Sequence, residues 1–151
     1  MIVSSAGRPV LAIMIKNLVE AHPKVFCGKY PQVSPTIPVG WHRLLDEFCL
    51  LLEAICDEYE LASLQFHSIL NESSCLILNF DFACELSERK AQTIDARVFA
   101  LRNRSFFSCS VCGHLVENIT NPALCKEHEK LASAFPTPHP QTNSRLGPFP
   151  N

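Results

Sequence analysis

Three cysteines and a histidine near the end of the chain have the residue types and spacing best suited to a chemical role. The segment SCSVCGHLVENITNPALCKEH puts two residues between Cys109 and Cys112, twelve before Cys125, and two more before His128. Thiolate sulfur and imidazole nitrogen are ligands that zinc prefers, and two short ligand pairs can fill the four corners of a tetrahedron. The spacing therefore predicts a Cys3His zinc knuckle, with Zn2+ bound by Cys109, Cys112, Cys125 and His128.

The residues around these ligands favour the same site. Gly113 supplies the permissive backbone that a Cys-x-x-Cys turn often needs. A helix starting at LCKEHEKL would put Cys125 and His128 on one face, and its N-terminus would favour a thiolate. His114 is the one competing ligand, although its place beside Gly113 suits such a turn less well. Four protein ligands leave no position for water, which predicts a structural ion; the alternative is a coincidence of spacings in a cysteine-rich chain.

The remaining cysteines do not indicate a disulfide framework. The apolar run at residues 10–15 is too short for a membrane-spanning helix or a typical signal peptide, so we expect a reducing cytoplasm, where disulfides are rare. Four cysteines fall near apolar positions and are expected to be small buried hydrophobes: Cys49, Cys56, Cys75 and Cys84. Cys27 lies in a loop and could be either a stray ligand or a surface thiol.

The elements that must position the ligands follow from hydrophobic periodicity. A first helix is predicted to begin after Ser4 and Ser5 and to end at His22, before a proline. An amphipathic helix is predicted over residues 41–59, and another over residues 88–104. The loop between the first two helices, residues 27–40, contains three prolines, which exclude both a helix and a central strand.

Alternating apolar residues between the second and third helices predict a β-hairpin. One face of the first strand carries Leu64, Phe66, Ser68 and Leu70, and one face of the second carries Leu76, Leu78, Phe80 and Phe82. These faces coincide only if the loop has an odd number of residues. A loop of residues 71–73 is therefore expected, pairing Phe66 with Leu78 and Leu64 with Phe80.

These elements together predict an α+β protein. A small antiparallel β-hairpin or sheet is expected to pack on two to three helices, with the zinc knuckle at the C-terminal end. A chain of 151 residues is long enough for one substantial core. We expect residues 1–107 to form the α+β core, residues 108–133 to form a zinc knuckle packed on it, and residues 134–151 to be a disordered, proline-rich tail.

The charges are unevenly distributed along the chain. Residues 31–86 carry nine acidic residues and one basic residue, while the flanking segments are positive. The acidic segment could act as a decoy for a nucleic-acid-binding surface of a partner. The predicted helix over residues 88–104 has basic side chains that could approach nucleic acid or simply form a solvated face: Arg89, Lys90, Arg97, Arg102 and Arg104.

Two motifs give the chain a resemblance to a known group of proteins. The first is a Gly-Trp-x-x-Leu-Leu-Asp helix start (Gly40, Trp41, Leu44, Leu45, Asp46), and the second is a Cys-x-x-Cys-Gly…Leu-Cys-x-x-His ending (Cys109, Cys112, Gly113, Leu124, Cys125, His128). With the hairpin and helix between them, residues 23–131 resemble small, largely uncharacterised bacteriophage and prophage proteins. The resemblance implies a zinc-stabilised α+β fold and a bacterial host cytoplasm, but no activity. The hairpin departs from that group because it has neither lysine nor glycine.

These observations lead to one leading hypothesis and three others. We expect a non-enzymatic phage protein that binds a host or phage protein complex and modulates or inhibits it, for example a CRISPR effector. The alternative is a nucleic-acid-binding transcriptional or replication regulator that uses helix 88–104 and the knuckle, although the pI of about 6.3 argues against it. An enzyme is less expected, because the sequence has no nucleophile elbow, phosphate-binding loop or His-Glu-x-x-His motif. What is left is a purely structural role, for instance in a virion. No membrane contact is expected, and the oligomeric state stays open.

Overall fold

Helices and one small sheet make up the described part of the chain, which in this computed structural model covers residues 7–61, 64–117 and 122–134. In chain order the elements are α1 (Gly7–Ala21), α2 (Pro23–Phe26), β1 (Gln32–Val33), a first 3-10 turn (Val39–Trp41), α3 (His42–Glu58), β2 (Leu64–Glu72), β3 (Cys75–Phe82), α4 (Glu88–Asn103), a second 3-10 turn (Arg104–Phe107) and α5 (Lys126–Ala134). The predicted α+β class is confirmed, with a Cys3His cluster near the C-terminus.

The helix ends lie close to the positions that the sequence predicts. α1 ends at Ala21, just before His22 and Pro23. The Ser87 side chain accepts a hydrogen bond from the backbone N–H of Lys90 at 3.4 Å and so caps α4. The predicted start at Ser4 and Ser5 lies outside the described residues, as does the predicted tail apart from its first residue, which ends α5.

α3 supplies more of the protein core than any other element. Its apolar stripe is buried along its whole length: Leu44, Leu45, Phe48, Cys49, Leu52, Ile55 and Cys56. Most of these side chains share one apolar cluster with Met14, Ile15 and Leu18 of α1 and with Ile69 and Leu76 of the sheet. Burying side chains of this size contributes about 1.5–3 kcal/mol each, so this cluster is what holds helices and hairpin together.

The hairpin loop is shorter than the predicted one. Glu72 pairs with Cys75, so the turn consists of Ser73 and Ser74, and the predicted three-residue loop is wrong. Both turn residues have positive φ values, 51° and 63°, as two-residue hairpin turns require. An even-numbered loop on its own would set the two apolar rows on opposite faces of the sheet.

A β-bulge at His67 brings the two apolar rows back to one face. Phe66 pairs with Phe80 and Ser68 pairs with Asn79, so His67 is an extra residue in β2 that has no pairing partner in β3. Beyond the bulge it is Ile69, not Leu70, that shares the inner face, and its side chain is fully buried. The predicted pairing of Phe66 with Leu78 is therefore wrong, although the predicted inner face of β3 is retained.

Two short elements occupy the region around the prolines. β1 pairs in parallel with the middle of β2, giving the order β1-β2-β3. It is an edge strand of only two residues, which is the form that flanking prolines permit. The preceding α2 places Phe26 against Phe66, with ring centroids 5.0 Å apart, and so closes one end of the sheet's inner face.

Folding cancels much of the charge asymmetry seen along the sequence. Six of the nine carboxylates in residues 31–86 contact an arginine, lysine or histidine: Asp46, Glu47, Glu53, Asp57, Glu58 and Asp81. Several of the partners come from the basic flanks, such as Lys24 and Arg97. The described surface is therefore less polarised than the order of the residues predicts.

Candidate metal centre

The structure brings the four predicted ligands together. One ligand atom from each of Cys109, Cys112, Cys125 and His128 lies within 4.8 Å of all the others. Cys112 Sγ is 3.8 Å from Cys125 Sγ, and His128 Nδ1 is 3.6 Å from Cys109 Sγ and 3.0 Å from Cys125 Sγ. This arrangement is compatible with a metal site.

The first ligand pair lies on a tight backbone turn. The N–H of Gly113 donates to the carbonyl of Cys109 at 2.9 Å, and the N–H of Cys109 donates to the carbonyl of His114 at 2.8 Å. Gly113 has a φ of +76°, so the turn uses the left-handed conformation that glycine adopts readily. An antiparallel bridge between Ser108 and Leu115 closes the base of this turn.

The second ligand pair lies at the start of α5. The carbonyl of Cys125 accepts the N–H of Glu129 at 2.9 Å, so Cys125 directly precedes the first turn of the helix. His128 follows within that turn, which places both ligand side chains on one side of it, as predicted. The N–H of Ser110 donates to the carbonyl of Ala123 at 2.8 Å and ties the second pair to the first.

Two glycines fasten this unit to the α+β core. The N–H of Gly40 donates to the carbonyl of Ser110 at 2.9 Å. A Cβ atom on Gly40 would lie 2.2 Å from the carbonyl oxygen of Cys109, and one on Gly113 would lie 2.3 Å from the carbonyl oxygen of Gly40. The two backbones therefore touch with no room for a side chain between them.

Hydrogen bonds to sulfur divide the thiols into two kinds. Burial raises the pKa of Cys109, but backbone N–H groups, including those of Cys112 and Cys125, outweigh it and lower this pKa to about 6. The pKa of Cys125 is lowered mainly by the backbone N–H of His128. At Cys112 the backbone N–H of His114 lowers the pKa, but burial and the two neighbouring sulfurs prevail and raise it. The contact with Cys125 raises the pKa of His128.

His114 lies beside the cluster and is not one of its four members. Its Nδ1 is 3.1 Å from Cys112 Sγ, a distance at which an Nδ1–H tautomer donates a hydrogen bond to the sulfur. Outer hydrogen bonds of this kind orient metal ligands. The sequence predicted His114 as a competing ligand, whereas the structure places it beside Cys112 and outside the four-residue cluster.

The five cysteines outside the cluster do not all match the prediction. Cys49, Cys56 and Cys75 are buried, as expected. Cys84 is exposed, so its expected burial is wrong; it lies two residues after the end of β3, beyond the part of the strand that packs inward. Cys27 is also exposed, with its sulfur 3.9 Å from two backbone carbonyls, and it does not belong to the metal cluster.

The basic residues of α4 and the turn after it are largely engaged within the protein. Arg97 donates to Glu58 at 2.7 Å, and Arg104 forms an ion pair with Glu47. Further contacts join Arg102 to Cys75 Sγ at 3.3 Å and Lys90 to the Tyr59 ring at 5.4 Å. Among the described residues Arg89 has no carboxylate partner.

Sequence reasoning missed the role of Gly40. It appears in the sequence only as the first residue of a helix-start motif, while the structure shows it in backbone contact with the metal turn. The available signal was a pair of motif glycines, Gly40 and Gly113, in a chain with five glycines. A glycine that no turn requires often marks a close approach of two backbones.

Comparisons with protein-family models, with curated proteins and with solved structures return no match for this chain. The resemblance to phage proteins therefore stays a prediction. No helix in the described ranges combines the length and the apolar character needed to cross a bilayer.

Proposed function

We propose that the protein is a non-enzymatic, zinc-stabilised binding protein whose Cys3His cluster holds one structural Zn2+. The observation that carries this proposal is the convergence of four soft ligand atoms at a single point. A tetrahedral ion about 2.3 Å from sulfur and about 2.05 Å from nitrogen has ligand-to-ligand edges of about 3.8 and 3.6 Å. Two of the observed edges have these lengths, and the third, between Cys125 and His128, would have to lengthen from 3.0 Å.

The architecture around the cluster supports a structural role for the ion. Four protein ligands complete a tetrahedral sphere, whereas catalytic zinc keeps one position for water or substrate. In the segment from Ser108 to Ala134, the described hydrophobic residues that are buried are Cys109 and Ala123. So small a buried set cannot form a core of its own, and metal binding would supply the missing folding energy.

Exposed aliphatic side chains on the knuckle support a protein partner. Val111, Leu115 and Leu131 expose 52%, 67% and 53% of their surface, and so this unit exposes more large apolar groups than it buries. Large apolar side chains that a small unit leaves exposed give a protein partner apolar surface to cover. The acidic segment has less support as the contact surface, because most of its carboxylates already contact basic groups.

The resemblance to phage proteins suggests which partner to test. The proposal names a host or phage protein complex that the chain modulates or inhibits, with a bacterial defence assembly such as a CRISPR effector as the first candidate. Native mass spectrometry should find one zinc ion per chain, and a pull-down from bacterial lysate should recover a stoichiometric partner. Leu115→Asp should abolish that recovery, because it puts a charge on the exposed apolar surface.

A matched control lies on α1. Ile13 is also an exposed aliphatic residue, at 59%, and it lines a hollow whose described residues all lie between positions 10 and 46, so Ile13→Asp should leave partner recovery unchanged. Equal recovery by the two variants would contradict the proposed contact surface. Absence of metal from protein purified without chelators would contradict the zinc centre itself.

The nucleic-acid hypothesis has weaker support from the contacts of α4. An arginine favours nucleic-acid binding when it pairs with a phosphate and so displaces a counterion from the nucleic acid, but Arg97 and Arg104 already pair with carboxylates of α3. A mobility-shift assay at low salt with single- and double-stranded DNA and RNA distinguishes the hypotheses. Binding that weakens steeply with salt would favour the nucleic-acid role, and no shift would favour a protein partner.

A further inference from the structure

The three cysteines of the knuckle differ in their access to solvent. Cys109 is completely buried against the core, Cys125 is half-buried and Cys112 is exposed. Cys112 Sγ and Cys125 Sγ are 3.8 Å apart and come from different arms of the knuckle. A water-borne reagent can therefore reach Cys112 first, and the sulfur of Cys125 is close enough to react next.

We infer that Cys112 and Cys125 form an oxidative modification site, at which hydrogen peroxide makes a disulfide and releases the bound ion. The inference rests on the proposed zinc centre and names how that centre would be regulated. The reacting species is a thiolate, which is the form that Cys112 and Cys125 would have as metal ligands, and accessible thiolates beside a second thiol are the usual targets of peroxide.

The reaction balances in two steps. The Cys112 thiolate attacks one peroxide oxygen, which breaks the O–O bond, gives a sulfenic acid and releases hydroxide. The Cys125 thiolate then attacks the sulfenic sulfur, forms the S–S bond and releases a second hydroxide. Peroxide takes up two electrons, and the two sulfurs lose them along with their negative charges. Only Cys109 and His128 then remain as ligands.

The loop before α5 makes the disulfide geometrically feasible. The two sulfurs must approach from 3.8 Å to about 2.05 Å, and Cys125 lies in the non-helical stretch just before Lys126. Cys109 is less suited to react because its side chain has no solvent access. A disulfide between Cys112 and Cys125 would leave the contact between Cys109 and Gly40 in place at first.

The experiment uses the zinc-loaded full chain with Cys27→Ser and Cys84→Ser, which removes the other two exposed thiols. Hydrogen peroxide is added while a colorimetric indicator follows free zinc, and peptide mapping identifies the linked cysteines. The expected result is one zinc ion released per disulfide, a link between Cys112 and Cys125, and Cys109 recovered as a free thiol. A thiol reductant should then restore full zinc uptake.

Other outcomes separate this inference from the proposed function. A disulfide that includes Cys109, zinc retained after the disulfide has formed, or zinc lost through sulfinic acid at Cys112 overturns the inference alone. A chain that takes up no zinc before oxidation overturns both. The test keeps Cys112 in place, because peptide mapping identifies the oxidised cysteines directly and the chain then retains all four zinc ligands.

Discussion

At the scale of single residues, Gly40 and Gly113 decide whether the metal turn can lie against the core. Their backbones are in contact, and a methyl group on Gly40 would overlap the carbonyl oxygen of Cys109 at 2.2 Å. Backbone atoms cannot move aside as a flexible side chain can. The close packing therefore ties the backbone of Cys109 to that of Gly40.

Gly40→Ala should separate the knuckle from the core. We expect the free energy of unfolding to fall by about 1–3 kcal/mol, the usual cost of overpacking, and zinc affinity to fall with it. Denaturant titration and chelator competition measure the two effects. As a control, Gly28→Ala puts a Cβ into open space at a φ of +72°, so it should lower stability but leave zinc affinity unchanged.

The titration of the ligands predicts proton release on metal binding. The raised pKa of Cys112 keeps that thiol protonated near pH 7, and the raised pKa of His128 favours the imidazolium form. Both must lose their protons to bind an ion, so apparent zinc affinity should fall as pH decreases. Calorimetry in buffers of different ionisation enthalpy should detect at least one proton released per ion at pH 7, and none would contradict the assignment.

The sequence predicts which four side chains come together better than it predicts what surrounds them. Cys109 with Cys112, and Cys125 with His128, are local pairs whose spacing alone limits where their side chains can meet. The contact between Gly40 and Gly113 joins distant parts of the chain, and no local pattern specifies such a contact. The exposure of Cys84 was missed for a similar reason, since it depends on where the sheet stops packing inward.

At the scale of secondary structure elements, the long helices α3 and α4 were predicted closely, whereas the short helix α2 and the hairpin register were not. A helix such as α3 has a long apolar stripe whose period identifies it without reference to other elements. The hairpin pattern had two solutions, an odd loop or an even loop with a bulge. The protein uses the second, with a Ser73–Ser74 turn and the extra residue His67, and alternation alone cannot choose between them.

One serine joins two elements at the edge of the sheet. Ser105 is fully buried, accepts the N–H of Leu76 at 3.0 Å and donates to the carbonyl of Arg102 at 2.7 Å. Ser105→Ala should lower the free energy of unfolding by about 1–3 kcal/mol, because it leaves a buried N–H without an acceptor. Thermal or denaturant unfolding measures this effect.

Ser133 provides the matched control for that substitution. Its hydroxyl also donates to a backbone carbonyl, that of Glu129 at 2.9 Å, but the side chain is exposed. Water can replace the lost bond there, so Ser133→Ala should change the free energy of unfolding by less than about 0.5 kcal/mol. Similar losses from both substitutions would mean that Ser105 does not fasten α4 to the strand.

At the scale of the whole molecule, the main apolar core and the knuckle are built from different residues. The largest apolar cluster draws its buried members from residues 14–76, and none of the described residues of the knuckle belongs to it. The helices and hairpin should therefore stay folded when the ion is removed, while the knuckle loses its order. The metal would then control one end of the protein without controlling the rest.

Trp41 reports on this separation because it is the single tryptophan and directly follows Gly40. Its ring is 1% exposed. On addition of a chelator we expect the emission of Trp41 to shift to the red, because a disordered knuckle no longer packs against the adjoining Gly40 and water can approach, while far-UV circular dichroism keeps most of its helical signal. Zinc should reverse the shift, and magnesium at the same concentration should not. Loss of most helical signal would show that the core depends on the ion.

The backbone contact at Gly40 also bears on how such a chain can change over generations. A side chain gained at either glycine would push apart two segments that lie far from each other in the gene, so neither position can drift alone. We expect related sequences to keep both glycines, or to lose both together with the cysteines and histidine. A survey that found one glycine freely replaced beside an intact ligand set would show that the two segments can meet in another way.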